Sequence, residues 1–239
     1  MIRLAQPRDI PALFRDSLRV YFRHAPSFLA LSAAVVVPAH LVVQGVGMEQ
    51  LTGAYDESPT LREAMVPTLV GFLVVVPLIT AICIHALRAV AEGGRPRAGQ
   101  TLVNGFEAFA PIFFAVVLAA IGIALGLVLF VLPGIYVAVR WFFVPQAVVL
   151  ETARGPGALA RSSQVVQGFW WRTFGLVILA NLAVALPGLV LTAPFASIAS
   201  STDHAIWSLA GTIVVETVTA PFLALFATLL FYDLRARRV

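Results

Sequence analysis

The chain has 239 residues, 60% of them hydrophobic and only 12% charged, with a formal charge of +4 and a mean hydropathy of +0.93. That balance excludes an ordinary soluble domain and leaves no room for a soluble catalytic domain. The basic residues lie beside apolar stretches rather than in one dense patch, so no nucleic-acid partner is expected and the charge reads as topology.

Residues 8–24 place Ile10, Leu13, Phe14, Leu18 and Tyr21 at helical spacing, with Arg15, Asp16 and Arg19 mostly on other faces. This is the pattern of an interfacial amphipathic helix. The N-terminal stretch lacks the continuous apolar core of a signal peptide, so no cleavage is expected. Six spans are predicted, at about 27–47, 65–89, 108–131, 133–151, 173–195 and 206–231, set against the roughly 20 residues a helix needs to cross the hydrocarbon. The predicted fold is all-α, a polytopic transmembrane helical bundle, with residues 1–239 forming a single integral membrane domain.

Arginine positions set the expected orientation. Arg3, Arg8, Arg15, Arg19 and Arg23 precede the first span; Arg88, Arg95 and Arg97 follow the second; Arg154, Arg161 and Arg172 follow the fourth; Arg235, Arg237 and Arg238 follow the sixth. Retained positive charge marks the cytoplasmic side, which puts both termini there. Glu49, Asp56, Glu57 and Glu63 fall in an expected outer loop and Asp203 in an outer turn, while Trp170, Trp171 and Trp207 sit where an aromatic belt would place them. All sixteen basic residues are arginine, which points to a GC-rich bacterial genome and so to the bacterial inner membrane.

A faint repeat runs through this order. The stretch beginning at Arg15 aligns with that beginning at Arg161, and a weaker copy precedes the third span, where Ala110-Pro111 matches Ala25-Pro26. The expected unit is an amphipathic helix followed by a two-span hairpin, used three times, with a shared proline at Pro77, Pro145 and Pro221.

Within the spans, Arg140 stands about seven residues, or about 10 Å, below the Pro133-Gly134 turn. An unpaired arginine at mid-bilayer costs at least roughly 2.5 to 3.5 kcal/mol, so a partner, a cavity or a snorkelled headgroup is required. Glu216, ten residues into the last span, is the deep carboxylate at a comparable depth, and a pair between the two is expected, structural or functional. His40 and His85 fall near opposite ends of antiparallel spans, so no metal site is expected. The lone Cys83 excludes a disulfide within the chain and reads as a small buried hydrophobe. Ala115, Ala119, Gly122 and Gly126 form a small-residue stripe suited to helix packing inside the bundle. Serine-hydrolase, zinc-protease, phosphate-loop and dinucleotide signatures are missing from the sequence, so neither a catalytic residue nor a cofactor is assigned.

The blocks VLPGIYVAVRWFFVPQAVVLE, GALARSSQVVQGFWWRTFG and LLFYDLRARR resemble the bacterial glycerophosphoryl diester phosphodiesterase membrane-domain family. By that resemblance Pro133, Gly134, Glu151, Arg161, Ser162, Tyr232, Asp233 and Arg235 are motif positions with structural roles. It implies a six-span fold and no transferable catalysis. Arg154, Arg161 or Arg172 could answer Glu151, and Arg235, Arg237 or Arg238 could answer Asp233. The leading expectation is a non-catalytic membrane module, a scaffold, regulator or assembly partner, touching anionic headgroups with its arginines. A transporter or channel for a small solute or lipid is the first alternative, and an unconventional lipid-acting enzyme the second.

Overall fold

A computed structural model describes residues 6–45, 61–94 and 96–238. The outer-loop acids Glu49, Asp56 and Glu57, together with Arg3 and Arg95, lie outside the described residues. The described residues form helices and no strands, and among them six helical stretches are long and apolar enough to cross a membrane: Ala25–Val43, Met65–Ala91, Ala98–Leu129, Val131–Glu151, Trp170–Thr202 and Ile206–Ala236.

In chain order, α1 (Ile10–Arg23) and α2 (Ala25–Gly45) are followed by α3 (Leu61–Val70), a π-helical turn (Gly71–Val75) and α4 (Val76–Ala91). Then come α5 (Ala98–Leu129), α6 (Val131–Arg140), α7 (Val144–Glu151), α8 (Pro156–Val166), α9 (Trp170–Thr202) and α10 (Ile206–Ala236). The amphipathic segment expected before the third span is not separate, because residues from Ala98 onward run without a break into α5. Of the three repeat units, only the first and last therefore keep a distinct leading helix.

Helix α1 does not lie clear of the bundle. It buries Leu13, Ser17, Val20 and Tyr21 and runs against α10, where Phe14 meets Phe226 at 4.7 Å and the Tyr21 hydroxyl donates to the Val218 carbonyl at 2.8 Å. Ile10 and Leu18, assigned to its inner face by spacing, are 43% and 40% exposed. The buried stripe is thus rotated toward Ser17, whose hydroxyl is satisfied by donating to the Leu13 carbonyl at 2.8 Å.

Two spans are interrupted, each just before a proline. In the second, the Val76 amide donates to the Gly71 carbonyl across a π turn before Pro77 opens α4. In the fourth, the helix breaks at Trp141–Phe143 and Pro145 opens α7. A proline has no N–H to donate and its ring crowds the carbonyl four residues back, so a locally loosened helix accommodates it. Pro221, by contrast, sits inside the unbroken α10.

The apolar core gathers toward one end of the bundle. It contains Phe28 and Leu31 of α2, Leu78 to Leu87 of α4, Phe143 at the break, and Leu225 to Leu234 of α10. A second cluster joins Ile112, Ala115 and Ala119 of α5 to Val144 and Val148 of α7 and to Leu159 of α8. Large apolar side chains beyond the core stay exposed, among them Leu125, Val128 and Phe130 at the α5–α6 turn and Leu186, Leu189 and Val190 on α9. Such surfaces suit lipid tails, which are as apolar as the side chains themselves.

The small-residue stripe of α5 faces α6 and the break. Ala115 and Ala119 are buried. A Cβ on Gly122 would meet the Trp141 ring at 2.4 Å, and one on Gly126 would meet the Gly134 Cα at 3.0 Å. Gly134 in turn lies so close to Leu127 that a Cβ would stand 2.7 Å from the Leu127 backbone nitrogen. The Pro133-Gly134 pair thus sits within the first turns of α6, just after the extended Phe130 at the α5–α6 corner.

Candidate functional site

Two ionic clusters, one centred on a buried carboxylate and one on a partly buried one, hold the arginine-rich end together. Asp233 on α10 is fully buried and accepts from the Arg8 amide at 2.6 Å, from the Arg172 guanidinium at 3.1 Å and from the Arg237 Nε at 3.0 Å. The Arg8 carbonyl accepts in return from Arg172 at 2.7 Å and from Arg237 at 2.6 Å. Arg8 also reaches Asp16 of α1 at 3.1 Å. One carboxylate therefore ties the N-terminal segment, the start of α9 and the end of α10.

Glu151, at the end of α7, forms the second cluster. It takes a bidentate pair from Arg161 of α8 and a contact from Arg235 of α10 at 3.1 Å. The turn that makes this geometry uses Gly155 at φ 50, ψ −127, a region only glycine enters easily. It folds α8 back on α7. The hydrogen bond to Glu151 raises the Arg161 guanidinium above its ordinary value. The partners are thus partly exchanged relative to charge counting: Arg172 answers Asp233 rather than Glu151, and Arg235 answers Glu151 rather than Asp233.

Beside Arg161, Ser162 closes the break in the fourth span. Its hydroxyl donates to the Arg140 carbonyl at 2.8 Å and accepts from the Phe143 amide at 3.1 Å. Backbone groups freed by a broken span need partners inside protein, and one buried hydroxyl supplies two of them. Tyr232 contributes an edge-on ring contact to Phe231.

Arg140 and Glu216 do not pair. Glu216 meets His40 of α2, with 2.8 Å between Oε2 and Nε2. Arg140 reaches the Tyr136 hydroxyl at 3.3 Å and lies 5.6 Å over the same ring. The reason is depth. Phe143 packs on Phe231 at 5.7 Å, and Phe231 is fifteen residues beyond Glu216 on the same helix, about 22 Å at helical rise. Counting inward from the α5–α6 turn placed Arg140 too far from the arginine-rich end. His40 was the residue to notice: it lies fifteen residues into α2 and, at 8% exposure, is buried.

The His40–Glu216 pair stands beside the π-helical turn. His40, Ala39 and Val43 of α2 with Pro67, Val70, Gly71 and Val75 line an open recess of about 190 Å³. Among the described residues no group of three His, Cys, Asp or Glu could hold a metal ion.

The fold and these clusters define a multi-pass helical membrane protein. The chain belongs to the family described as Domain of unknown function (DUF7847), whose model matches residues 66–234. No curated protein and no solved structure matches it.

Proposed function

We propose that the protein is a non-catalytic integral membrane module, a scaffold, regulator or assembly partner, that docks through its arginine-rich end. The observation that carries this reading is the pair of clusters around Asp233 and Glu151, which lock the N-terminal segment, α7, α8, α9 and α10 together at that end. Around them Arg15, Arg19, Arg23, Arg97 and Arg154 are exposed and make no ion pair among the described residues. A rigid base ringed by spare cations suits an acidic partner or anionic headgroups, the latter worth up to about 1 kcal/mol per arginine. In this reading the arginine-rich end is cytoplasmic, both termini included, and the membrane is the bacterial inner membrane. The likeness to the glycerophosphoryl diester phosphodiesterase membrane domain belongs to the same proposal, as a structural kinship without its catalysis.

A second reading, transport of a small solute or lipid, is favoured by the intramembrane His40–Glu216 pair beside a π turn, a feature frequent at functional sites. Photocrosslinkers placed at Arg19 and Arg154 in native membranes separate the two. A discrete protein adduct at both positions supports the module. Lipid-only adducts, together with solute flux in proteoliposomes that the Glu216→Gln variant abolishes, would establish transport instead.

A further inference from the structure

We infer that Arg140 and Tyr136 form a binding site for the phosphodiester of one anionic phospholipid, set into the side of the bundle near its arginine-rich end. The inference does not depend on the docking role proposed above.

Arg140 ends α6, where the helix dipole favours a cation and the break stops the helix. Among the described residues its guanidinium has Tyr136 as its hydrogen-bond and ring partner, through one hydrogen bond of 3.3 Å and the ring face, and no ion pair. Five N–H donors in a planar fork are thus left mostly unspent. No carboxylate among the described residues takes them: Glu151 is occupied by Arg161 and Arg235, Glu216 by His40, and Asp233 by Arg172 and Arg237.

The surroundings are those of an interface. Tyr136 stacks on Trp170 at 5.8 Å, whose indole N–H donates to the Tyr136 carbonyl at 3.2 Å. Trp170 stacks on Phe174 at 5.1 Å, and Trp171 beside it is 77% exposed. Tryptophan and tyrosine collect at headgroup level. Two residues on, Arg172 enters the Asp233 cluster, which places this aromatic group at the arginine-rich end.

A part-exposed guanidinium over a tyrosine ring, with an aromatic belt around it, offers what a phosphate diester requires: a fork of donors and a phenol hydroxyl that can turn to donate. The apolar flank of α9 would take the acyl chains, since Ile178, Leu179 and Leu182 continue outward from the belt as exposed side chains. Lysine would not replace this arginine, having neither the fork nor the ring stacking.

Native mass spectrometry of the full chain released from nanodiscs of mixed phosphatidylglycerol and phosphatidylcholine tests the site. The wild type should retain one phosphatidylglycerol. Arg140→Gln should lose occupancy about fivefold, the ratio that corresponds to about 1 kcal/mol, Arg140→Lys should also fall, and Arg154→Gln, a spare surface cation, should not. Excess inorganic phosphate should leave the lipid bound. Wild-type occupancy in Arg140→Gln, an equal loss in Arg154→Gln, or displacement by free phosphate would overturn the inference. A folding defect in Arg140→Gln is separable, because Tyr136→Phe removes only the hydroxyl and should lower occupancy while leaving the ring stacked on Trp170.

Discussion

The Ser162 hydroxyl donates to the main-chain carbonyl of Arg140 at 2.8 Å, so a residue on α8 completes a helix it does not belong to. The same oxygen accepts from the Phe143 amide. Ser162→Ala would strand a buried donor and a partly buried acceptor, and a stranded buried polar group costs about 1 to 3 kcal/mol. Thermal unfolding in detergent should show the variant clearly destabilised, and Ser162→Thr less so. A melting temperature unchanged in Ser162→Ala would mean that the break is satisfied in another way.

The α5–α6 corner makes a contrast between two glycines. Gly134→Ala drives a Cβ against the Leu127 backbone as well as its side chain, an overpacking that typically costs about 1 to 3 kcal/mol. Gly175, inside α9, has nothing within 4 Å of its Cβ position. Gly175→Ala should therefore be neutral or stabilise the helix by up to about 1 kcal/mol. Comparing the two variants by thermal unfolding checks the close approach of α5 and α6, and equal effects would contradict it.

Much of this architecture is legible in the sequence, and the parts that are not share a cause. Hydropathy and arginine placement report the six spans, the separate helix before the first and the one before the fifth, because each depends on composition along the chain. The continuous α5 was hidden because Asn104 and Glu107 look like an amphipathic surface, yet a polar helix end can simply extend a span. Lateral order and helix rotation leave no such trace. Depth counted from one turn made Arg140 and Glu216 neighbours, whereas the Phe143–Phe231 contact puts them far apart. For the same reason Glu151 and Asp233 were known to need arginines, while the exchange of Arg172 and Arg235 between them needed the fold.

Cys83 gives a probe of the core. It is 1% exposed and carries the only thiol in the chain, packed in the same cluster as Leu87 and Leu230. A maleimide should label the native protein hardly at all and label it stoichiometrically once unfolded. Rapid native labelling would show that α4 is not packed against α10 as described.

The ionic lock at the arginine-rich end is best tested by a double-mutant cycle of Asp233→Asn and Arg172→Gln, read as unfolding free energies in detergent micelles. Asp233 is fully buried and its partners are partly exposed, so Asp233→Asn alone should be the costlier change, toward the lower end of the roughly 3 to 5 kcal/mol for a broken buried pair. The two changes should couple by at least about 0.5 kcal/mol. Strict additivity would mean that the carboxylate and the guanidinium do not meet, and the locked platform on which the account rests would be lost.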